Sequence, residues 1–345
     1  MPDFRADFEA MKKALEVFRS KYGKEAQEAA LLLDDCPMYP AEDVKELYRL
    51  TNGIRQDESL IPAFREKLAS MKKLENAPER IYLWPEGKMP GHTVYTDNSD
   101  YKYTHNPDFK PYMLEMLLPE NVTPKGAIIM IPGGDQGAST VNGGFATSLD
   151  FNALGYQCFI LHNRVFNNPW DGPEVGVDVA RAVRIVRANA EKYRIDPNHV
   201  AVCGYSNGGI AGEQSIRYCS GKQTVAEHFP GYEPDELDEI YGCQDAFLCI
   251  YGPRFKGMEF DWTEVEYPPV FYAIGREDNA IDNFNATYPS LLEHNVPVEI
   301  HTFAGVPHGF AGRSYTDGKA PYPIFDLWVQ LADNFMQDVY KKQAK

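Results

Sequence analysis

Ser206 stands at the centre of Gly204-Tyr205-Ser206-Asn207-Gly208, directly after the apolar run Val200-Ala201-Val202-Cys203 and before a stretch able to form a helix. A serine in G-x-S-x-G between a buried strand and a helix is a nucleophile elbow. The turn is so tight that the serine takes a strained backbone conformation, and Gly204 and Gly208 leave the room that side chains would fill. The hydroxyl then stands clear at the carboxyl edge of the sheet, with the amino end of the next helix pointed at the reacting centre. The chemistry this allows is acyl transfer through a covalent serine intermediate.

A serine hydroxyl needs a base within hydrogen-bond reach, and the base needs an acid to orient it. In open α/β sheets such groups come from loops beyond the carboxyl ends of strands. Gly275-Arg276-Glu277-Asp278-Asn279 follows a strand-like run at 270–274, and Ala304-Gly305-Val306-Pro307-His308-Gly309-Phe310 follows another at 298–303. Of eight histidines, His308 is the one placed after the last strand, so it is the candidate base. Glu277 and Asp278 both qualify as the acid. The oxyanion needs at least two backbone donors. One is the amide of Asn207; the others belong to Pro132-Gly133-Gly134-Asp135, after the strand at 127–131, with Gly134 and Asp135 as the donors. His162, Asn163, Arg164, Asn167, Asn168 and Trp170 follow the strand at 156–161 and are expected near the pocket rim. Trp170 could stack on a sugar, and Arg164 and Phe310 are further candidates for substrate contact. Asp178 and Arg181, three apart on a helix, are expected to be a structural pair.

The elements that must hold these groups follow from periodicity. Residues 1–80 read as helices: Phe4, Phe8, Met11, Leu15 and Phe18 form one apolar stripe, a second helix closes near Ala29–Leu33, a third carries Val44, Leu47, Tyr48 and Leu50, and a fourth carries Leu60, Phe64, Leu68, Met71 and Leu74 with Pro62 in its first turn. This extension is expected to pack on the main domain, or to serve as a lid or an oligomerisation surface. Residues 81–91 form a turn-rich link. Beyond it, strands at 112–118, 127–131, 156–161, 200–203, 246–251, 270–274 and 298–303 alternate with helices at 175–193, 288–293 and 324–340, which predicts a mostly parallel sheet flanked by helices, over residues 81–345. Residues 221–245, rich in Asp and Glu, interrupt the alternation as a surface insertion.

Composition narrows the class. The formal net charge of −16 argues against a nucleic-acid or anionic-membrane partner, and no apolar run is long enough to span a bilayer. The charged start MPDFRADFEAMKK lacks the apolar core of a signal peptide, so a cytoplasmic protein is expected, export with a removed signal being the alternative. No C-x-x-C pair occurs among the six cysteines, and no metal or organic cofactor is implied. Cys219 and Cys243 flank the insertion and could pair in an exported protein.

Seven segments, in order, resemble the α/β-hydrolase superfamily, within it the esterase/lipase-like group that includes acetyl-xylan and related carbohydrate esterases. They are Gly126 to Gly134, Asn152 to Tyr156, Asp178 to Val183, Ile195-Asp196-Pro197, Val200 to Gly209, Gly275 to Asp278, and Pro307 to Phe310. The resemblance implies an α/β-hydrolase fold from about residue 81 and a serine esterase acting on acylated sugars or similar small esters. It also implies Asp278 as the acid. Two positions depart from the pattern: Asp135 stands where a third glycine is frequent, and Asn207 where Ala or Met is more usual. Residues 1–78 lie outside the resemblance. Two rivals are a serine peptidase resembling the prolyl oligopeptidase group, which carries a β-propeller unlike these N-terminal helices, and a catalytically silent hydrolase-like binding protein. An acyltransferase would use the same residues if its pocket excluded water.

Overall fold

The computed structural model describes residues 23–25, 28–54, 56–93, 108–134, 140–164, 172–255, 257–317 and 327–343. Eight strands form one sheet: β1 (Ile81–Tyr82), β2 (Tyr112–Met116), β3 (Gly126–Ile131), β4 (Tyr156–His162), β5 (Val200–Tyr205), β6 (Ala246–Ile250), β7 (Val270–Gly275) and β8 (Val298–Phe303), in the order β1-β2-β4-β3-β5-β6-β7-β8. The pairs from β4 to β8 are parallel, while β1 and β2 are antiparallel to their neighbours. β3 to β7 are buried along their whole length. Helices cover both faces of such a sheet, which is why these strands, apart from β4 with its Gln157, read as unbroken apolar runs. β8, at the edge, is only half-buried until Phe303.

The helices α1 (Ala41–Gly53), α2 (Ile61–Ser70), α3 (Thr147–Ala153), α4 (Pro173–Ala188), α5 (Asn207–Cys219), α6 (Ile281–Glu293) and α7 (Leu327–Gln343) fill the positions that periodicity predicts or lie between the strands. Pro40 caps α1, and Glu42 and Asp43 sit in its first turn, where negative charge suits the helix dipole. The helix expected over 175–193 is two pieces. It breaks at Asn189, whose side-chain amide donates to the Ile185 carbonyl, and a short turn Ala190–Tyr193 follows. The expected helix through Phe4 to Phe18 lies outside the described residues.

The acidic insertion is tied down. Arg181, Arg184 and Arg187 form one row on α4, and they meet Asp235 at 2.6 Å, Asp238 at 3.1 Å and Asp245 at 2.8 Å. The expected Asp178–Arg181 pair is therefore not formed, because the insertion's carboxylates reach Arg181 from outside the helix. Cys219 and Cys243 are free thiols, buried like the other four cysteines.

Residues 29–71 share one apolar core with the sheet, through Val44, Leu47, Phe64 and Leu68. This segment sits at the carboxyl edge of β4. The Tyr112 hydroxyl donates to Asp35 at 2.9 Å, the Asn142 side chain donates to the Tyr48 hydroxyl at 3.0 Å, and the Tyr315 hydroxyl donates to the Ala41 carbonyl at 2.6 Å. α1 thereby touches both the segment after the β3 loop and the short helix Arg313–Asp317. No helix among the described residues is long and apolar enough to cross a membrane.

Candidate active site

β5 delivers Ser206 into a backbone conformation of φ 52°, ψ −118° at the start of α5. A side chain in this region costs about 1–3 kcal/mol and persists only where its surroundings enforce it. The enforcement is visible. The Ser206 amide donates to the Ile250 carbonyl at 3.0 Å, and the Gly209 amide donates to the Ser206 carbonyl at 2.9 Å. A Cβ on Gly204 would lie 2.2 Å from the Gly208 carbonyl oxygen, and one on Gly208 would lie 2.0 Å from that of Ile131. Both glycines of the motif are therefore required by close approach. A third, Gly252, would place a Cβ 2.1 Å from the Ser206 carbonyl oxygen. Sequence reasoning missed it, although the Gly252-Pro253 dipeptide after β6 is a turn signal.

The structure brings Ser206, His308 and Asp278 together. His308 Nε2 lies 2.9 Å from Ser206 Oγ, and His308 Nδ1 lies 2.9 and 3.0 Å from the two oxygens of Asp278. With Nδ1–H donating to the carboxylate, Nε2 is left as an acceptor facing the hydroxyl. Asp278 is buried and also accepts from the Ala280 amide at 2.7 Å. Glu277 is exposed, so the two adjacent acids separate by burial.

Asn207 opens α5, and a first-turn amide has no carbonyl partner inside its helix. The β3 loop packs against this turn: a Cβ on Gly133 would lie 2.8 Å from the Ser206 Cβ. Gly134 is exposed with φ +64°. Asp135 and Trp170 lie outside the described residues, as do Asn167 and Asn168.

Two expected substrate contacts are elsewhere. Arg164 is 1% exposed, and its guanidinium donates to Asp178 at 3.0 and 2.8 Å, to the Pro90 carbonyl at 2.5 Å and to the Glu174 carbonyl at 3.1 Å. Trp84 donates to the same carboxylate at 2.8 Å. Arg164 is thus a buried structural cation, not a rim contact. Asp178→Ala would strand that cation without its counter-charge, and it is expected to lower unfolding free energy in urea by about 3–5 kcal/mol. Phe310 is also 1% exposed; it packs edge-on against Tyr251 at 5.1 Å and Phe303 at 5.7 Å, in the core behind His308. His162, expected at the rim, is buried and stacked on Tyr112 at 4.6 Å, and burial pushes its pKa down to about 4. Among the described residues no group of three or more His, Cys, Asp or Glu side chains could hold a metal ion.

Tyr251, which sequence reasoning also missed, has φ 41° and sets its ring 4.9 Å from that of His308. It reads in the sequence as the last residue of an apolar strand, with nothing to mark its turn.

The comparisons with known proteins agree with this architecture. Residues 114–213, from β2 into α5 and across Ser206, match the BD-FAE family model. The chain is 25% identical over 260 residues to endo-1,4-beta-xylanase B of Butyrivibrio fibrisolvens, an alignment covering 68% of this chain and 39% of that protein. It is 38% identical over 95 residues to the acetylxylan esterase of Xylanibacter ruminicola, covering 27% of this chain and 19% of that protein. It therefore spans well under half the length of these relatives. The crystal structure of an acetyl ester-xyloside bifunctional hydrolase from Caldicellulosiruptor lactoaceticus superposes with a TM-score of 0.56 at 23% identity, covering 76% of this chain and 96% of that one. By its sheet order and these likenesses the chain is an α/β hydrolase in fold, similar to the esterase group of that superfamily.

Proposed function

We propose that the chain is a serine carboxylic-ester hydrolase acting on short-chain acyl esters such as acetylated carbohydrates. The observation that carries this reading is the unbroken hydrogen-bonded line from Ser206 through His308 to Asp278 at a strained elbow. Ser206 Oγ attacks the ester carbonyl while His308 Nε2 takes its proton, and Asp278 holds the imidazolium through Nδ1–H. The negative charge that develops on the carbonyl oxygen is met by the amides of Asn207 and Gly134, with that of Asp135 as a further donor. Collapse of the tetrahedral species expels the alcohol, which takes the proton from His308. Water, deprotonated by His308, then attacks acyl-Ser206 and releases the carboxylic acid. The acetyl preference draws support from the similarity to an acetylxylan esterase and an acetyl ester-xyloside hydrolase.

The test is a substrate panel of p-nitrophenyl acetate, butyrate and octanoate beside acetylated xylan and a peptide anilide. A serine-directed phosphonate is run in parallel and its adduct located by mass spectrometry. Fast acetyl-ester turnover, falling with chain length, and an adduct on Ser206 are expected. Cleavage of the anilide alone would move the protein to the peptidases, and inertness towards every substrate and the phosphonate would end the catalytic reading.

A further inference from the structure

Two hydrogen bonds hold the ends of the His308 imidazole but leave its tilt unfixed. The ring that meets its side is Tyr251, packed at 4.9 Å and 67°. Tyr251 is itself held from several directions. Its ring meets Phe310 at 5.1 Å and Tyr205, the residue before the serine, at 6.1 Å, and it is 6% exposed. Its own amide donates to the Ala273 carbonyl at 2.8 Å. Its φ of 41° lies where a bulky residue is a rare outlier, and such strain concentrates at working sites. The next residue, Gly252, lies against the Ser206 backbone. One strained dipeptide thus touches both the serine backbone and the histidine ring.

Resting on the esterase reading above, we propose that Tyr251 is a positioning residue for His308: its ring sets the tilt of the imidazole between Asp278 and Ser206, and its enforced backbone sets the ring. The hydroxyl is dispensable to this role and the ring is not. The geometry also separates ring from backbone, since glycine would relieve the positive φ while removing the ring.

The experiment uses the whole chain with Tyr251→Phe, Tyr251→Leu and Tyr251→Gly, and Tyr251→Met in place of Tyr251→Leu should the latter not fold, as judged by thermal unfolding. Two readouts are taken: kcat and KM on p-nitrophenyl acetate, and the downfield proton resonance of His308 Nδ1–H in the resting protein. Tyr251→Phe is expected to keep kcat within about threefold and to keep the resonance. Tyr251→Leu is expected to lose about 10²-fold in kcat, the scale of a misplaced catalytic group, with KM within about twofold and the resonance shifted or broadened. Tyr251→Gly is expected to follow Tyr251→Leu. The proposal is overturned if Tyr251→Leu keeps both kcat and the resonance, or if Tyr251→Gly performs as well as Tyr251→Phe. If the wild type turns over no ester, the esterase reading fails by itself. The resonance still decides the role of Tyr251, because it is read without substrate.

Discussion

Ser206→Ala is expected to lower kcat on p-nitrophenyl acetate by about 10⁴–10⁶-fold, with KM little changed and the unfolding curve close to that of the wild type. The size follows from the proposed mechanism, in which the three groups work as a unit. On the proposed chemistry, His308 without the hydroxyl has no nucleophile to deprotonate, and what remains is the contribution of the amides proposed at Asn207 and Gly134. His308→Ala is expected to fall to the same floor, and the double variant to lie no lower than either single one. Asp278→Asn is expected to cost about 10⁴-fold, since a neutral amide can present its N–H to Nδ1 and leave the proton on the wrong ring nitrogen. Steady-state kinetics on the four proteins check all of this. Losses that simply multiplied from variant to variant would mean that the three groups do not act together. Stability argues in the same direction: alanine still has a Cβ at φ 52°, so the strain of the turn stays, and only a hydroxyl bonded to His308 is removed.

Gly208→Ala is expected to be the most damaging single-methyl change at the elbow. Helix propensity alone favours it, because Gly208 lies within α5 and alanine there is worth about 0.5–1 kcal/mol. Sterics reverse the sign. The added Cβ would sit 2.0 Å from the Ile131 carbonyl oxygen and 2.9 Å from that of Pro132, and both are backbone atoms at the carboxyl end of a fully buried strand. Either α5 or the β3 loop must move. A loss of about 3 kcal/mol in urea unfolding is expected, at the upper end of overpacking costs. Either movement also separates the Asn207 amide from the β3 loop, so on the proposed chemistry kcat is expected to fall about 10²–10³-fold, the effect of losing one oxyanion donor. A variant as stable as the wild type would show that the helix and β3 are looser than the close approach indicates.

The fold was legible where burial is complete. β3, β5, β6 and β7 are apolar from end to end, and each falls within a residue or two of its expected place. β1 was not legible: it has two residues inside a turn-rich stretch, and pairing with β2 rather than its own composition makes it a strand. The order of the loops pointed to Ser206 and His308, but spacing could not separate Glu277 from Asp278; the resemblance pointed to Asp278, which is buried and bonded to His308 while Glu277 is exposed. Arg164 was misread for a general reason. A charged residue after a strand is equally suited to a pocket rim or to a buried counter-ion, and Asp178, fourteen residues on, decides which. Phe310 was misread in the same way, since an aromatic beside a histidine carries no mark of the side it faces.

The contact between Tyr315 and Ala41 also has a meaning in time. Its partners are 274 residues apart. At about 5–20 residues per second of synthesis, Ala41 waits roughly 14–55 s on the ribosome before Tyr315 exists. The serine elbow is made well before the loop that bears His308, and α1 is made before both. On the proposed chemistry, a nascent chain holding only the first three hundred residues has its nucleophile but no base, so it stays inert towards esters until residue 308 has emerged.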